Sequence, residues 1–187
     1  MKNILAIIPA RSKSKGVKNK NLKKVNGKEL VYYTIKRAKE SKLISNIIAS
    51  TDSNNHQLNE YIAKKKKPVI LSTAMSNIQD ITESFKILKK YLKNNFVLMQ
   101  CTGSYPAPIK DANLAVIDLF KKKFKCLVGY SDHVIDDTSV LAALGVGISV
   151  YEKHITINKK LPGPDHRASL NKIEFITLIN PNFNSQV

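Results

Sequence analysis

The chain has 187 residues, enough for one sizeable core or two small ones and too few for two full enzyme domains. Its content of 43% hydrophobic and 24% charged residues suits a soluble globular protein, and no apolar stretch reaches the roughly 20 residues a bilayer span takes, so no membrane partner is expected. The formal charge of +17 comes with no Trp and no Gly/aromatic nucleic-acid signature, which argues against a nucleic-acid role and suits anionic small molecules.

In chain order, ILAIIP (4–9) reads as a first strand, because it is short, contains Pro9 and lacks a small-residue cleavage site. A basic loop, ARSKSKGVKNKN, follows, then a helix over KELVYYTIKRAKES and a second strand at NIIAST. Together they make one Rossmann-like β/α/β unit. Its loop carries Arg11, Ser14, Lys15, Gly16 and Lys20, and backbone amides with cations in such a place can cradle a nucleotide triphosphate. A solvated lysine-rich turn would look the same.

From Lys67 onward, PVILST (68–73), FVLMQCT (96–102), KCLVGYS (125–131) and GISVYEKH (147–154) are continuous apolar runs without alternation, the pattern of buried parallel strands. Helices separate them. In 77–93, Ile78, Ile81, Phe85, Leu88 and Leu92 recur at three- and four-residue steps, with Asn77 as N-terminal cap; 111–123 and 136–147 are shorter helices. The basic runs Lys64–Lys67 and Lys121–Lys123 fall at helix ends or turns, and cations are favoured near helix C-termini. The fold class is therefore α/β, a parallel sheet with helices on its face. Cys101 and Cys126 each sit in or beside an apolar run, so buried thiols in a reducing cytoplasm are expected rather than a disulfide or a metal pair.

Each of these strands ends in polar or reactive residues: Ser72 and Thr73, Thr102 and Ser104, Ser131 and His133, Glu152 and His154. One strand, one helix and a return strand between the two histidines would set them side by side at one sheet edge. Turn and capping roles explain any single Ser or Thr; four strand ends in succession point to a shared functional rim.

The stretch IIPARSKSKGVKNKNLKKVNGKELVYYTI resembles the amino terminus of CMP-sialic acid synthetases, over about residues 3–53. That resemblance implies CTP as a ligand and nucleotide-phosphate contacts for Arg11, Ser14, Lys15 and Lys20; Lys13 stands where the family usually has glycine. The segment from about 48 to 178, with KKPVILSTAMS, CTGSYPAP, VGYSDH, EKHIT and LPGPDHRASL, resembles the second half of the catalytic barrel of N-acetylneuraminate (sialic acid) synthases. The two segments overlap near 48–53, and 179–187 matches nothing.

The synthase resemblance implies condensation of phosphoenolpyruvate with N-acetylmannosamine or a related amino sugar, on a divalent metal, typically Mn2+, with Mg2+ or Co2+ as alternatives. It implies that His133 and His154 are metal ligands and that Ser50, Ser72 and Ser131 bind phosphate. Tyr105 and Asp165 would hold the sugar, Asp52 would belong to the same site, and Asp132 would orient a ligand or act as a structural cap. The sequence departs from the family at Ile47, where a phosphate-binding lysine is expected, at Ala74 for glycine and at Gln100 for histidine. The family's first strands and antifreeze-like domain have no counterpart in these residues. The expectation is a partial TIM-type barrel with the metal site, part of the phosphate site and little turnover, associating with itself or with full-length relatives through unclosed strand edges.

Overall fold

The computed structural model describes residues 4–11 and 16–180. The chain divides into two compact units, one of Met1–Met99 with Phe124–Leu127, the other of Gln100–Lys123 with Val128–Val187.

In the first unit, strand β1 (Ile4–Pro9) is followed by a 3-10 turn (Lys20–Leu22) and a small ribbon, β2 (Lys24–Val25) with β3 (Lys28–Glu29). Asn26 and Gly27, with φ of 48° and 76°, close this ribbon, and an Asn-Gly pair adopts that left-handed turn with little strain. Helix α1 (Leu30–Glu40) buries Val31 and Ile35, and the chain returns as β4 (Ile44–Asp52), parallel to β1. Helix α2 (His56–Ala63), β5 (Val69–Ser72), α3 (Ile78–Leu92) and β6 (Phe96–Cys101) follow. Within this unit β1, β4, β5 and β6 lie in chain order and all pair parallel, so each strand is joined to its sheet neighbour by a helix. That is the winding of a β/α barrel segment.

The β/α/β unit expected at the start is present, and the four later strands lie where the apolar runs placed them. Helix α3 has its Asn77 cap, whose Oδ1 accepts from Asp80 N at 2.9 Å, but its buried stripe is Ile81, Ser84, Leu88 and Leu92. Ile78 is 38% exposed, and Phe85 lies at the flank, its ring 5.7 Å from Phe96 and 4.8 Å from Phe124. Ser84 can enter the stripe because its hydroxyl donates to the Ser53 carbonyl at 2.9 Å and accepts from Asn59 Nδ2, also at 2.9 Å.

Asn59, fully buried on α2, also donates to the Asp52 carbonyl at 3.0 Å, and its Oδ1 lies 3.0 Å from the Thr51 hydroxyl. It therefore fastens the C-terminal end of β4 to two helices. Asn59→Ala should lower stability by about 1–3 kcal/mol, because the buried groups it serves lose their partner; a urea midpoint equal to that of the unaltered chain would refute this.

In the second unit a 3-10 turn (Ile109–Asp111) precedes α4 (Ala115–Phe124), whose last residue belongs to the first unit. Strand β7 (Leu127–Asp132), α5 (Thr138–Val146) and β8 (Val150–Lys153) form the next β/α/β turn, with β7 and β8 parallel. Helix α5 ends at Gly147, whose φ of 81° suits a residue without Cβ, and Lys121 Nζ donates to the Val146 carbonyl at 2.5 Å. Two short helices follow: α6 (Asp165–Ala168) and α7 (Lys172–Ile179), the latter with a capping box between Asn171 and Glu174.

The cores are apolar in the ordinary way: Leu58, Leu71, Leu88 and Leu98 in the first unit, Ile117, Phe120, Val128 and Leu170 in the second. Cys101 and Cys126 are half-buried rather than buried; both lie at strand ends, and neither forms a disulfide among the described residues. Burial pushes the Cys126 thiol up to about 11, so it is protonated at neutral pH. Among the described residues no helix is long and apolar enough to cross a membrane.

Candidate functional site

Parallel pairing sets β7 and β8 in rungs: Tyr130 beside Tyr151, Ser131 beside Glu152, Asp132 beside Lys153. Side chains alternate faces along a strand, so each rung presents both of its side chains on one face and the next rung on the other. The contacts agree. Ser131 Oγ donates to Glu152 Oε1 at 2.6 Å, Lys153 Nζ lies 2.9 Å from Asp132 Oδ2, and the two tyrosine rings are 6.4 Å apart. His133 and His154 come next on the two strands, with ring centroids 5.3 Å apart.

His133 is 3% exposed and held on several sides. Its Nδ1 lies 2.7 Å from the Thr102 carbonyl oxygen, its own carbonyl accepts from Ala107 N at 2.8 Å, and the Tyr105 ring is 4.0 Å away. A carbonyl only accepts, so Nδ1 carries the proton and Nε2 keeps its lone pair. Burial, more than any neighbour, holds this imidazole below its ordinary range, with the nearby His154 acting in the same direction. A neutral ring anchored through Nδ1 is the form that ligates a metal through Nε2.

His154 is partly exposed, its ring 5.5 Å from Tyr105, and its carbonyl accepts from Leu170 N at 2.8 Å. Among the described residues no group of three or more His, Cys, Asp and Glu gathers as a metal cage. The donor set is therefore two imidazoles, which fits a cation whose other positions are filled by solvent or ligand oxygens.

Tyr105 is 40% exposed, and burial raises its phenol above the ordinary value, with Cys101, Asp165 and Glu152 adding to the effect. Asp165, at the start of α6, is exposed. Tyr105, Ser131, Glu152, His133, His154 and Asp165 thus belong to one unit, and the contacts and charge effects above link them around the C-terminal ends of β7 and β8. Glu152, placed on the shared rim by its strand-end position, is the member to which sequence reasoning gave no individual role. The signal was present: YSDH and YEKH align rung by rung, which puts Glu152 opposite Ser131.

Asp132 does not face that group. It is fully buried on the opposite face, where Oδ1 accepts from the Tyr130 hydroxyl at 3.0 Å and Val134 N at 2.8 Å. Oδ2 accepts from the Tyr151 hydroxyl and Lys153 Nζ, both at 2.9 Å. Four donors leave it no capacity for a ligand, so of the two roles expected for Asp132 the structure supports the internal one. Both phenols are raised well above their ordinary value, first by burial.

In the first unit, register sets Asp52 beside Ser72, with Ser50 two residues back on the same face of β4. All three are partly exposed, while Ile47, Ala49 and Thr51 are buried on the opposite, helix-covered face. Ile47, at the position of an expected lysine, therefore points away from the Ser50 face. Arg11 and Lys20 are exposed; the Arg11 carbonyl accepts from Asn21 Nδ2 at 2.9 Å, and Lys20 opens the 3-10 turn. Ser14 and Lys15 lie outside the described residues. In the second unit Gln100, at an expected histidine, is 6% exposed and donates to the Ala112 carbonyl at 3.1 Å.

A family model described as the NeuB family matches residues 35–186. An N,N'-diacetyllegionaminic acid synthase of Campylobacter jejuni is 42% identical over 125 residues, 66% of this chain and 37% of that protein. Among solved structures, the spore coat polysaccharide biosynthesis protein SpsE of Bacillus subtilis is similar with a TM-score of 0.67 and 34% identity, over 71% of this chain and 38% of that one. An N-acetylneuraminic acid (sialic acid) synthetase from Leptospira borgpetersenii gives a TM-score of 0.65 at 33% identity, over 71% and 47%. The chain spans less than half the length of each of these relatives.

Proposed function

This chain belongs to the NeuB family, and on that footing we propose that it is a sialic acid synthase-like protein whose β7–β8 end holds a divalent cation between His133 and His154. The observation that carries the reading is the pair of adjacent imidazoles, one of them fixed by Thr102 in the ligating tautomer. Mn2+ is the cation proposed first, with Mg2+ and Co2+ as alternatives; bound there, it would polarise a carbonyl oxygen.

The proposed reaction is condensation of phosphoenolpyruvate with N-acetylmannosamine or a related amino sugar. In it Tyr105 and Asp165 orient the sugar through hydroxyl and carboxylate hydrogen bonds. Ser131 is proposed to donate to phosphate in its own unit; Ser50 and Ser72, with Asp52 beside them, are proposed separately as the phosphate-binding side chains of the other unit. Ser131 can serve an anion only by turning its hydroxyl away from Glu152, whose own charge opposes an incoming phosphate. That competition supports weak phosphate binding at Ser131, and Ile47, in place of an expected lysine, supports the same in the other unit; low turnover belongs to this reading. A cytoplasmic setting belongs to the same reading, as does association with itself or with longer relatives, supported by Leu5 and Ile7 on β1, 47% and 57% exposed.

Calorimetric titration with phosphoenolpyruvate, with and without Mn2+, tests the reading: binding that needs the metal is expected, and no binding under either condition would overturn it. A second reading, a CMP-sialic acid synthetase-like, Rossmann-like amino terminus that takes CTP, has the β1–α1–β4 unit in its favour, with Arg11 and Lys20 on the loop after β1. CTP binding without metal-dependent phosphoenolpyruvate binding would favour it.

A further inference from the structure

The face of β7 and β8 turned away from the histidines carries the device that holds them in place. Lys153 immediately precedes His154, and its side chain is 2% exposed. Its ammonium donates to Asp132 Oδ2 at 2.9 Å and to the Val134 carbonyl. Asp132 and Val134 are the residues on either side of His133. One cation from the strand of the second histidine therefore grips the chain just before and just after the first. Asp132 tightens the grip, because its other oxygen accepts from Val134 N and closes a small turn around His133. Tyr130 and Tyr151 supply the remaining donors, so every lone pair of the carboxylate in use is directed inside the protein.

We propose that Lys153 and Asp132 are positioning residues for the two-histidine cation site, a buried clasp that fixes the separation and aim of His133 and His154 without touching the cation. This rests on the reading of those histidines as ligands. The physical reason is that a divalent cation fixes its donors within narrow limits of distance and direction, whereas two strand ends joined only by their last ladder bonds fray. A ring bond to the Thr102 carbonyl and a backbone bond from Ala107 N already hold His133. Those bonds do not join it to the strand of His154, and the Lys153 clasp does.

The test uses Co2+ as probe on the full chain, read by calorimetry and by its visible absorption, which reports coordination geometry. The unaltered chain is expected to bind Co2+ and to lose binding in His154→Ala; a chain that takes no Co2+ overturns the ligand reading and this inference with it. In the pair variant Asp132→Asn/Lys153→Met, which leaves no lone buried charge, Co2+ affinity should fall by about 10- to 100-fold with an altered spectrum, while circular dichroism stays native. Lys153→Arg, which keeps the charge but not the reach of a single ammonium, should bind with intermediate affinity. A folded pair variant with unchanged affinity and spectrum would overturn the clasp while leaving the ligand reading intact. Hydrogen exchange in the unaltered chain tests the coupling without any substitution. Zn2+ should slow exchange of the Val134 amide, and unchanged protection there under saturating Zn2+ refutes the coupling.

Discussion

Lys153→Met is expected to destabilise the chain by about 3–5 kcal/mol, the range for breaking a buried ion pair by removing one partner. The substitution keeps most of the side-chain volume, so the loss is electrostatic: Asp132, fully buried, would be left with only neutral donors around it. A small domain holds about 5–15 kcal/mol in total, so the variant should sit near the edge of folding at room temperature. Urea denaturation followed by circular dichroism measures this. Adding Asp132→Asn should recover a large part of the loss, because a neutral amide beside the introduced thioether no longer strands a charge. A single variant within about 1 kcal/mol of the parent would show that solvent reaches the carboxylate.

His133→Ala should abolish Mn2+ and Co2+ binding in calorimetry, since one remaining imidazole is a weak site for either ion. Position on the rim suggests that the fold would hardly notice; the structure says otherwise. His133 is 3% exposed, and its ring packs against Tyr105 and satisfies the Thr102 carbonyl, so its removal should also cost about 1–3 kcal/mol. His154→Ala, at a partly exposed position, should lose the metal with less harm to stability. Retained Mn2+ affinity in either variant would remove that histidine from the ligand set.

Strands β6 and β7 were legible because a strand buried on both faces leaves an uninterrupted apolar run, a signal that survives in a single sequence; β5 buries alternate residues and β8 none, yet their apolar runs placed them as well. Helix α3 was legible in extent but not in face: Ser84 displaces Phe85 from the buried stripe because hydrogen bonds with distant residues satisfy its hydroxyl there. Helix α2 escaped because only Leu58, Ile62 and the small Ala63 mark its buried face among polar neighbours, and Asn59 is buried as an amide. Two misses were avoidable, since Asn26-Gly27 is a strong hairpin signal and Asn171 with Glu174 is a capping-box pattern.

For the candidate site, the adjacency of His133 and His154 could be read from their equal places at two strand ends, which a helix between parallel strands brings together. The Asp132–Lys153 clasp could not, because it depends on register. A shift of one residue between β7 and β8 would have paired Asp132 with Glu152 or His154 and turned the same letters into a different site.

The alternation along β7 and β8 also divides the positions open to engineering from those closed to it. The Ser131–Glu152 rung can be randomised to seek new ligand preferences, since its side chains answer to whatever occupies the rim. The Asp132–Lys153 rung, one residue further along, belongs in every library as a constant, because variation there would erode the scaffold on which any new preference would be selected.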